Sequence, residues 1–177
     1  MRFSPTPLEG AWVLELEPLA DDRGWFARTF CLEELARHGI EMSVVQANTS
    51  FNARAGTLRG MHYQADPHGE QKIIRCTRGA IHDVIVDVRP QSPTYRRWFG
   101  AELTPDNGRM LYAPEGFAHG FQTLEDASEV SYLMSRTYVP DAARGLRWDD
   151  PVLAIEWPPA AERTISERDL GHPALEA

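Results

Sequence analysis

Tight turn signals recur along this chain about every dozen residues, the spacing expected of an all-β sandwich or barrel. The separators are Arg78-Gly79, Pro90-Gln91-Ser92-Pro93, Pro105-Asp106-Asn107-Gly108, Pro114-Glu115-Gly116 and Glu125-Asp126. Between them, strands are predicted over 12–17, 41–50, 56–64, 71–77, 80–88, 95–103, 109–113, 116–124, 129–135 and 152–157. Helical spacing is confined to 32–38, where Leu32, Leu35 and Ala36 share a face and Gly39 supplies a C-terminal stop. Near the C-terminus, 160–163 and 166–169 read as short helical turns over the barrel, with Ser166 capping Asp169 at the third helical position. The expected fold is all-β, an antiparallel β-barrel or jelly roll with a few short peripheral helices.

The 177 residues fit one domain spanning 1–177, with no linker, repeat or low-complexity tract to divide it. A net charge of -8 argues against nucleic acid as a partner, since such binders carry a basic surplus. An anionic small molecule would need a local arginine and lysine cluster that overrides the global field. No apolar run reaches membrane-span length, and Pro5, Pro7, Glu9, Glu15 and Glu17 interrupt any signal-peptide core. Cys31 and Cys76 form no metal or disulfide pattern, which suits a reducing compartment. A complete, cytoplasmic protein with no membrane partner is therefore expected.

Three side chains carry the first chemical signal. Arg59 and His62 lie in Leu58-Arg59-Gly60-Met61-His62-Tyr63-Gln64, and Lys72 follows in Gln71-Lys72. A neutral imidazole takes a proton near pH 7, while arginine and lysine hold a phosphate or steady a developing oxyanion. Strict strand alternation puts Leu58, Gly60, His62 and Gln64 on one face and Arg59, Met61 and Tyr63 on the other. A shared role for Arg59 and His62 thus requires a bulge or twist around Gly60. A lone strand histidine is ordinarily structural, so distant partners must supply the case for more.

A second histidine segment, Pro114-Glu115-Gly116-Phe117-Ala118-His119-Gly120-Phe121, alternates Phe117, His119 and Phe121 onto one face. Its aromatic neighbours indicate burial, with a hydrogen bond to a carboxylate such as Asp83 as the plainest role. Proline and glycine ahead of a histidine in a β-rich chain resemble the second motif of the cupin superfamily. Metal-binding cupins commonly place two histidines one residue apart, whereas His62 is followed by Tyr63 and Gln64, so no metal is expected. Tyr132 adds a phenol. A phenol opposite an imidazole would make a two-base epimerase, one group removing a proton beside a ketone and the other returning one from the opposite face. A lysine then holds the enolate oxygen.

Together, Arg59 through Gln64, Gln71-Lys72, Asp83 through Arg89, Ser92-Pro93-Thr94, Gly116 through Phe121, Tyr132 through Tyr138, and Trp148-Asp149-Asp150-Pro151 resemble the dTDP-4-dehydrorhamnose 3,5-epimerase family. The resemblance implies a cupin-type jelly roll, a homodimer, no metal or organic cofactor, and a dTDP-linked 4-keto-6-deoxyhexose as substrate. By position it makes His62 the base, Tyr132 the opposing acid, Asp169 the carboxylate that orients the histidine, and Lys72 the enolate stabiliser. Arg23, Arg59, His119 and Arg168 fall at substrate contacts, Gln46 and Asn48 at a polar pair near the nucleotide, and Tyr138 at the sugar site. Arg28 and Ala143 stand where the family usually has glutamates. They leave the proton-transfer set intact and the nucleobase and sugar open. A C3-only epimerase, a metal-dependent cupin and a non-catalytic sugar-nucleotide binder are the competing expectations.

Overall fold

The computed structural model describes residues 1–175. Strands β1 (Arg2–Pro5) and β2 (Trp12–Glu15) come first, followed by a short hairpin of β3 (Leu19–Asp21) and β4 (Gly24–Phe26). Helix α1 (Leu32–Ala36) precedes the main run of β5 (Gln46–Asn52), β6 (Leu58–Gln64), β7 (Lys72–Arg78), β8 (Ile81–Asp87), β9 (Trp98–Leu103), β10 (Arg109–Ala113), β11 (Phe117–Thr123) and β12 (Ser128–Met134). A single 3-10 turn (Pro140–Ala142), β13 (Ala143–Gly145) and α2 (Glu167–Leu170) complete the elements.

Two antiparallel sheets face each other, one ordered β1-β2-β10-β7-β12-β5 and the other β13-β6-β11-β8-β9. This is the jelly-roll architecture that the turn spacing predicts. Period-2 alternation sorts the side chains. Ile74, Cys76, Ile85, Leu111, Phe117, Phe121 and Val130 point between the sheets, whereas Ile73 packs outward against Leu35 of α1. On the far side, Met61, Val84 and Val86 are covered by Leu146 and Leu153 from the C-terminal segments. Burying each such side chain fully contributes roughly 1.5–3 kcal/mol, so the sandwich is defined by its inner faces.

Asp87 organises the turn after β8. It is fully buried and accepts hydrogen bonds from the Arg89 guanidinium, Thr94 and Ser92. Burial pushes its carboxyl up, but these donors outweigh burial and bring it down to about 2.

The predicted irregularity at Gly60 is present. Between the pairs His119–His62 and Phe121–Arg59, two residues of β6, Gly60 and Met61, oppose one of β11, Gly120, so the register shifts. Gly60 has φ +129, and a Cβ there would lie 2.5 Å from the Gly120 Cα and 2.9 Å from the His119 carbonyl oxygen. Two glycines thus let the backbones of β6 and β11 touch, and the shift turns Arg59 and His62 toward the same cavity.

Several sequence expectations are corrected. No strand forms over 152–157, because Ala154 sits at φ 48 and breaks the extended run, while Leu153, Ile155 and Trp157 still pack on the sheet. Residues 160–163 make no helical turn, since Arg163 reaches Gln122 and Thr164 forms a parallel bridge to Thr57. The strand expected from 41 begins only at Gln46, and β1, the β3–β4 hairpin and β13 are too short for a periodicity signal. The Ser166 cap on Asp169 forms as expected, at 3.2 Å.

Gly60→Ala forces a side chain into the Gly120 backbone, and urea unfolding is expected to register a loss of about 2 kcal/mol or more. Unchanged stability would contradict the glycine contact.

Candidate active site

A cleft of about 600 Å³ opens between the two sheets, with β5, β7 and β12 on one wall and β6 and β11 on the other. Residues Thr164–Asp169 close one side. This segment runs beside β6 because Leu58 donates to the Thr164 carbonyl and Thr164 donates back to Gly56.

His62 emerges from β6 just past the register shift. Its Nε2 lies 2.7 Å from Asp169 Oδ1, while Asp169 Oδ2 accepts the Gly60 amide at 3.2 Å. The carboxylate therefore fixes the imidazole and the backbone beneath it together. Its acceptor role places the ring hydrogen on Nε2 and leaves Nδ1 with its lone pair. Asp169 is buried on α2, whose Ser166 cap holds the helix start. Burial pushes the Asp169 carboxyl up, but the hydrogen bond and charge of His62, the Gly60 amide and the charge of His172 displace it net below its ordinary range. His172 stands behind the pair, with Nε2 3.7 Å from Asp169 Oδ1.

Tyr132 faces the cleft from β12 on the opposite sheet, its hydroxyl 3.0 Å from Ser50 Oγ. Burial pushes the phenol well above the usual tyrosine range, and Ser50 only partly offsets this. The group is a proton donor at neutral pH. Its ring meets His119 edge-on at 6.0 Å, and His119 Nε2 in turn bonds Asp83 Oδ1 at 2.7 Å. The carboxylate partner expected for His119 is thus present, and His119 also lines the cleft.

Lys72, at the start of β7, is buried with Glu70, their charged groups 2.9 Å apart. Its ammonium also donates to the His62 carbonyl at 3.1 Å, which seats it beside the histidine. Arg59 lines the cleft with Nε bonded to the buried Asn52 at 2.7 Å. Asn48 and Arg168 line it as well. An acidic chain therefore concentrates Arg59, Lys72 and Arg168 around one cavity, the local cation cluster that an anionic ligand requires.

Several residues singled out by the sequence lie off this lining. Gln46 bonds Asn48 and the Tyr138 amide, so it stands one step back, and Tyr138 is largely exposed. Arg23 sits on the β3–β4 hairpin, 89% exposed and paired with Asp21. Arg28 is engaged by Glu34, 2.6 Å away. Sequence reasoning missed Glu70, Ser50, Asn52 and His172. The Glu70-x-Lys72 spacing, opposite charges two residues apart at the entry to β7, was a readable signal for the first.

The dTDP-4-dehydrorhamnose 3,5-epimerase family profile matches residues 5–177. The chain belongs to this family. A dTDP-4-dehydrorhamnose 3,5-epimerase of Sinorhizobium fredii is 40% identical over 99% of this chain and 90% of its own length. The crystal structure of the Bacillus anthracis dTDP-4-dehydrorhamnose 3,5-epimerase, with TDP and PPi bound, superposes with a TM-score of 0.94 at 41% identity, covering 98% of this chain and 99% of that one. A Streptomyces niveus protein named dTDP-4-dehydrorhamnose 3-epimerase is 39% identical over 96% of this chain and 81% of its own. Near-equal identity to a 3,5- and a 3-epimerase means that family membership alone leaves the number of inverted carbons open. The cupin-type jelly roll is the family's fold.

The lowered carboxyl makes a signed prediction for Asp169→Asn. A folded-state value below the ordinary 3.8 gives a contribution that is full above that pH and lost as pH falls through the lower folded value. Urea titrations at pH 7 are expected to find the variant less stable by roughly 1.5–3 kcal/mol, the range for hydrogen bonds to charged groups. The gap should close in acid below that range.

Proposed function

We propose that this protein is a cofactor-independent epimerase of a dTDP-linked 4-keto-6-deoxyhexose, inverting C3 and C5 in deoxysugar biosynthesis. The observation that carries the proposal is a carboxylate-held imidazole and a protonated phenol entering one cleft from opposite sheets, with a buried lysine beside them. Two groups on opposite sides of a flat enolate are what inversion at carbon requires.

In this reading His62 Nδ1 takes the proton from the carbon beside the C4 ketone, the C–H electron pair forms a carbon–carbon double bond to C4, and the carbonyl π pair moves onto the oxygen. Asp169 stabilises the resulting imidazolium. The Lys72 ammonium holds the enolate oxygen, aimed by Glu70, and His119 can donate to the same region. Tyr132 then gives its proton to the opposite face of that carbon, and exchange with solvent resets both groups. Arg59 and Arg168 serve the diphosphate, which suits their charge and forked donors. Asn48, oriented by Gln46, serves the nucleotide, and Tyr138 the sugar side. A C3-only reaction remains the alternative, favoured by the likeness to the Streptomyces niveus protein.

We also read residues 1–177 as a single domain, supported by one core shared between the sheets, and as a homodimer in the cytoplasm. For the dimer, the β3–β4 hairpin leaves Leu19, Trp25 and Phe26 exposed at 72%, 58% and 72%, an apolar surface that calls for a cover. A second copy would cover it and let Arg23 reach the partner's cleft. For the compartment, Cys31 and Cys76 are free thiols, and no helix among the described residues is long and apolar enough to cross a membrane.

Deuterium incorporation into the dTDP-keto sugar in heavy water tests the chemistry. Label at two carbons is expected for the 3,5-reaction and at C3 alone for the variant, while no label sinks both. His62→Ala and Tyr132→Phe should each slow turnover by roughly 10²-fold or more with nucleotide binding retained. Mixing His62→Ala chains with Arg23→Ala chains tests the hairpin. If Arg23 acts across a dimer, about a quarter of sites regain full activity on random exchange, and if it acts within its own chain none do.

A further inference from the structure

Behind the catalytic pair, three ligand-type atoms converge. His62, Asp169 and His172 each offer one ligand-type atom, and these three atoms lie within 4.8 Å of one another. The two separations from Asp169 Oδ1 are 2.7 Å to His62 and 3.7 Å to His172. A tetrahedral zinc ion with bonds of about 2.0–2.1 Å holds its ligand atoms about 3.3 Å apart, a value these separations bracket. His172 Nε2 is buried and has no hydrogen-bond partner among the described residues. An imidazole nitrogen hidden from water without a partner is costly, and an ion at this point would satisfy it. Its ring stands edge-on to His62, with centroids 5.9 Å apart. Gly145 of β13 leaves the room for it, because a Cβ at that position would overlap the His172 ring.

We propose that His62, Asp169 and His172 form a binding site for a divalent transition-metal ion of the zinc type, whose occupation switches the epimerase off. Two imidazoles and one carboxylate suit zinc, cobalt or nickel rather than magnesium or calcium, which take oxygen ligands. The inhibition follows from the tautomer. A neutral imidazole has one lone-pair nitrogen, so an ion on Nε2 obliges the ring hydrogen to move to Nδ1. Nδ1 then carries a proton and no longer accepts one from the sugar. The binding half stands on geometry, and the inhibitory half rests on His62 being the base.

The test uses tag-free, chelator-treated protein and zinc chloride. Calorimetry is expected to find one zinc per wild-type chain and binding at least about 10-fold weaker in His172→Ala. Cobalt titrated into the wild type should give visible bands of a nitrogen and oxygen site, a readout that needs no variant to fold, and His172→Gln serves if the alanine variant is unstable. Zinc should suppress deuterium incorporation in the wild type, and His172→Ala should need at least about 10-fold more zinc for the same effect. No zinc binding by the wild type, or equal binding by wild type and variant, overturns the site. Binding without loss of exchange overturns the switch. Failure of the metal-free wild type to incorporate deuterium would instead count against the epimerase reading, with the calorimetry still deciding the site.

Discussion

The contact of two backbones at Gly60 and Gly120 sets the geometry of the whole cleft. Because neither residue carries a Cβ, β6 can press against β11 and gain an extra residue between Arg59 and His62. Without that residue, alternation would send the two side chains to opposite faces of the sheet. Asp169 then locks the arrangement by accepting both the Gly60 amide and the His62 ring nitrogen. One short helix turn, capped by Ser166, thus holds an irregular strand and the His62 imidazole with the same carboxylate. In the proposed reaction, preorganisation of this kind would keep the base aimed without cost at the moment of proton transfer.

The second constraint is the pairing of buried charge. Lys72 with Glu70, His119 with Asp83, and Asp87 with Arg89 each remove ionisable groups from water against a partner. Such pairs add little net stability over apolar packing, yet losing one partner leaves an uncompensated charge. Their value here lies in position. Asp87 fastens the turn after β8, while the other two pairs aim a cation and an imidazole at the cleft. Exposed charges such as Arg23 with Asp21 are screened by solvent and carry no comparable structural weight.

Much of the fold was legible because its signals are local. Alternation and turn residues mark the strands from β5 to β12, and the Ser166 cap marks α2. The failures are equally physical. Residues 152–157 have strand-like composition, but their apolar side chains satisfy the core from a bent backbone. Strands of three or four residues, such as β3 and β13, are defined by the neighbours that hydrogen-bond them and leave no periodicity of their own.

The site divides along the same line. Residue types and their order along the chain determined a β-barrel, a family and a histidine, tyrosine, lysine and aspartate set, because chemical identity and motif spacing are properties of the chain itself. Only the tertiary structure decided that Arg59 and His62 share a cavity, that Glu70 is the partner of Lys72, that Arg23 lies outside its own chain's cleft, and that His172 stands against Asp169. Each of these depends on which backbones meet across a sheet or at its edge, and contacts between distant residues are fixed by packing rather than by local pattern.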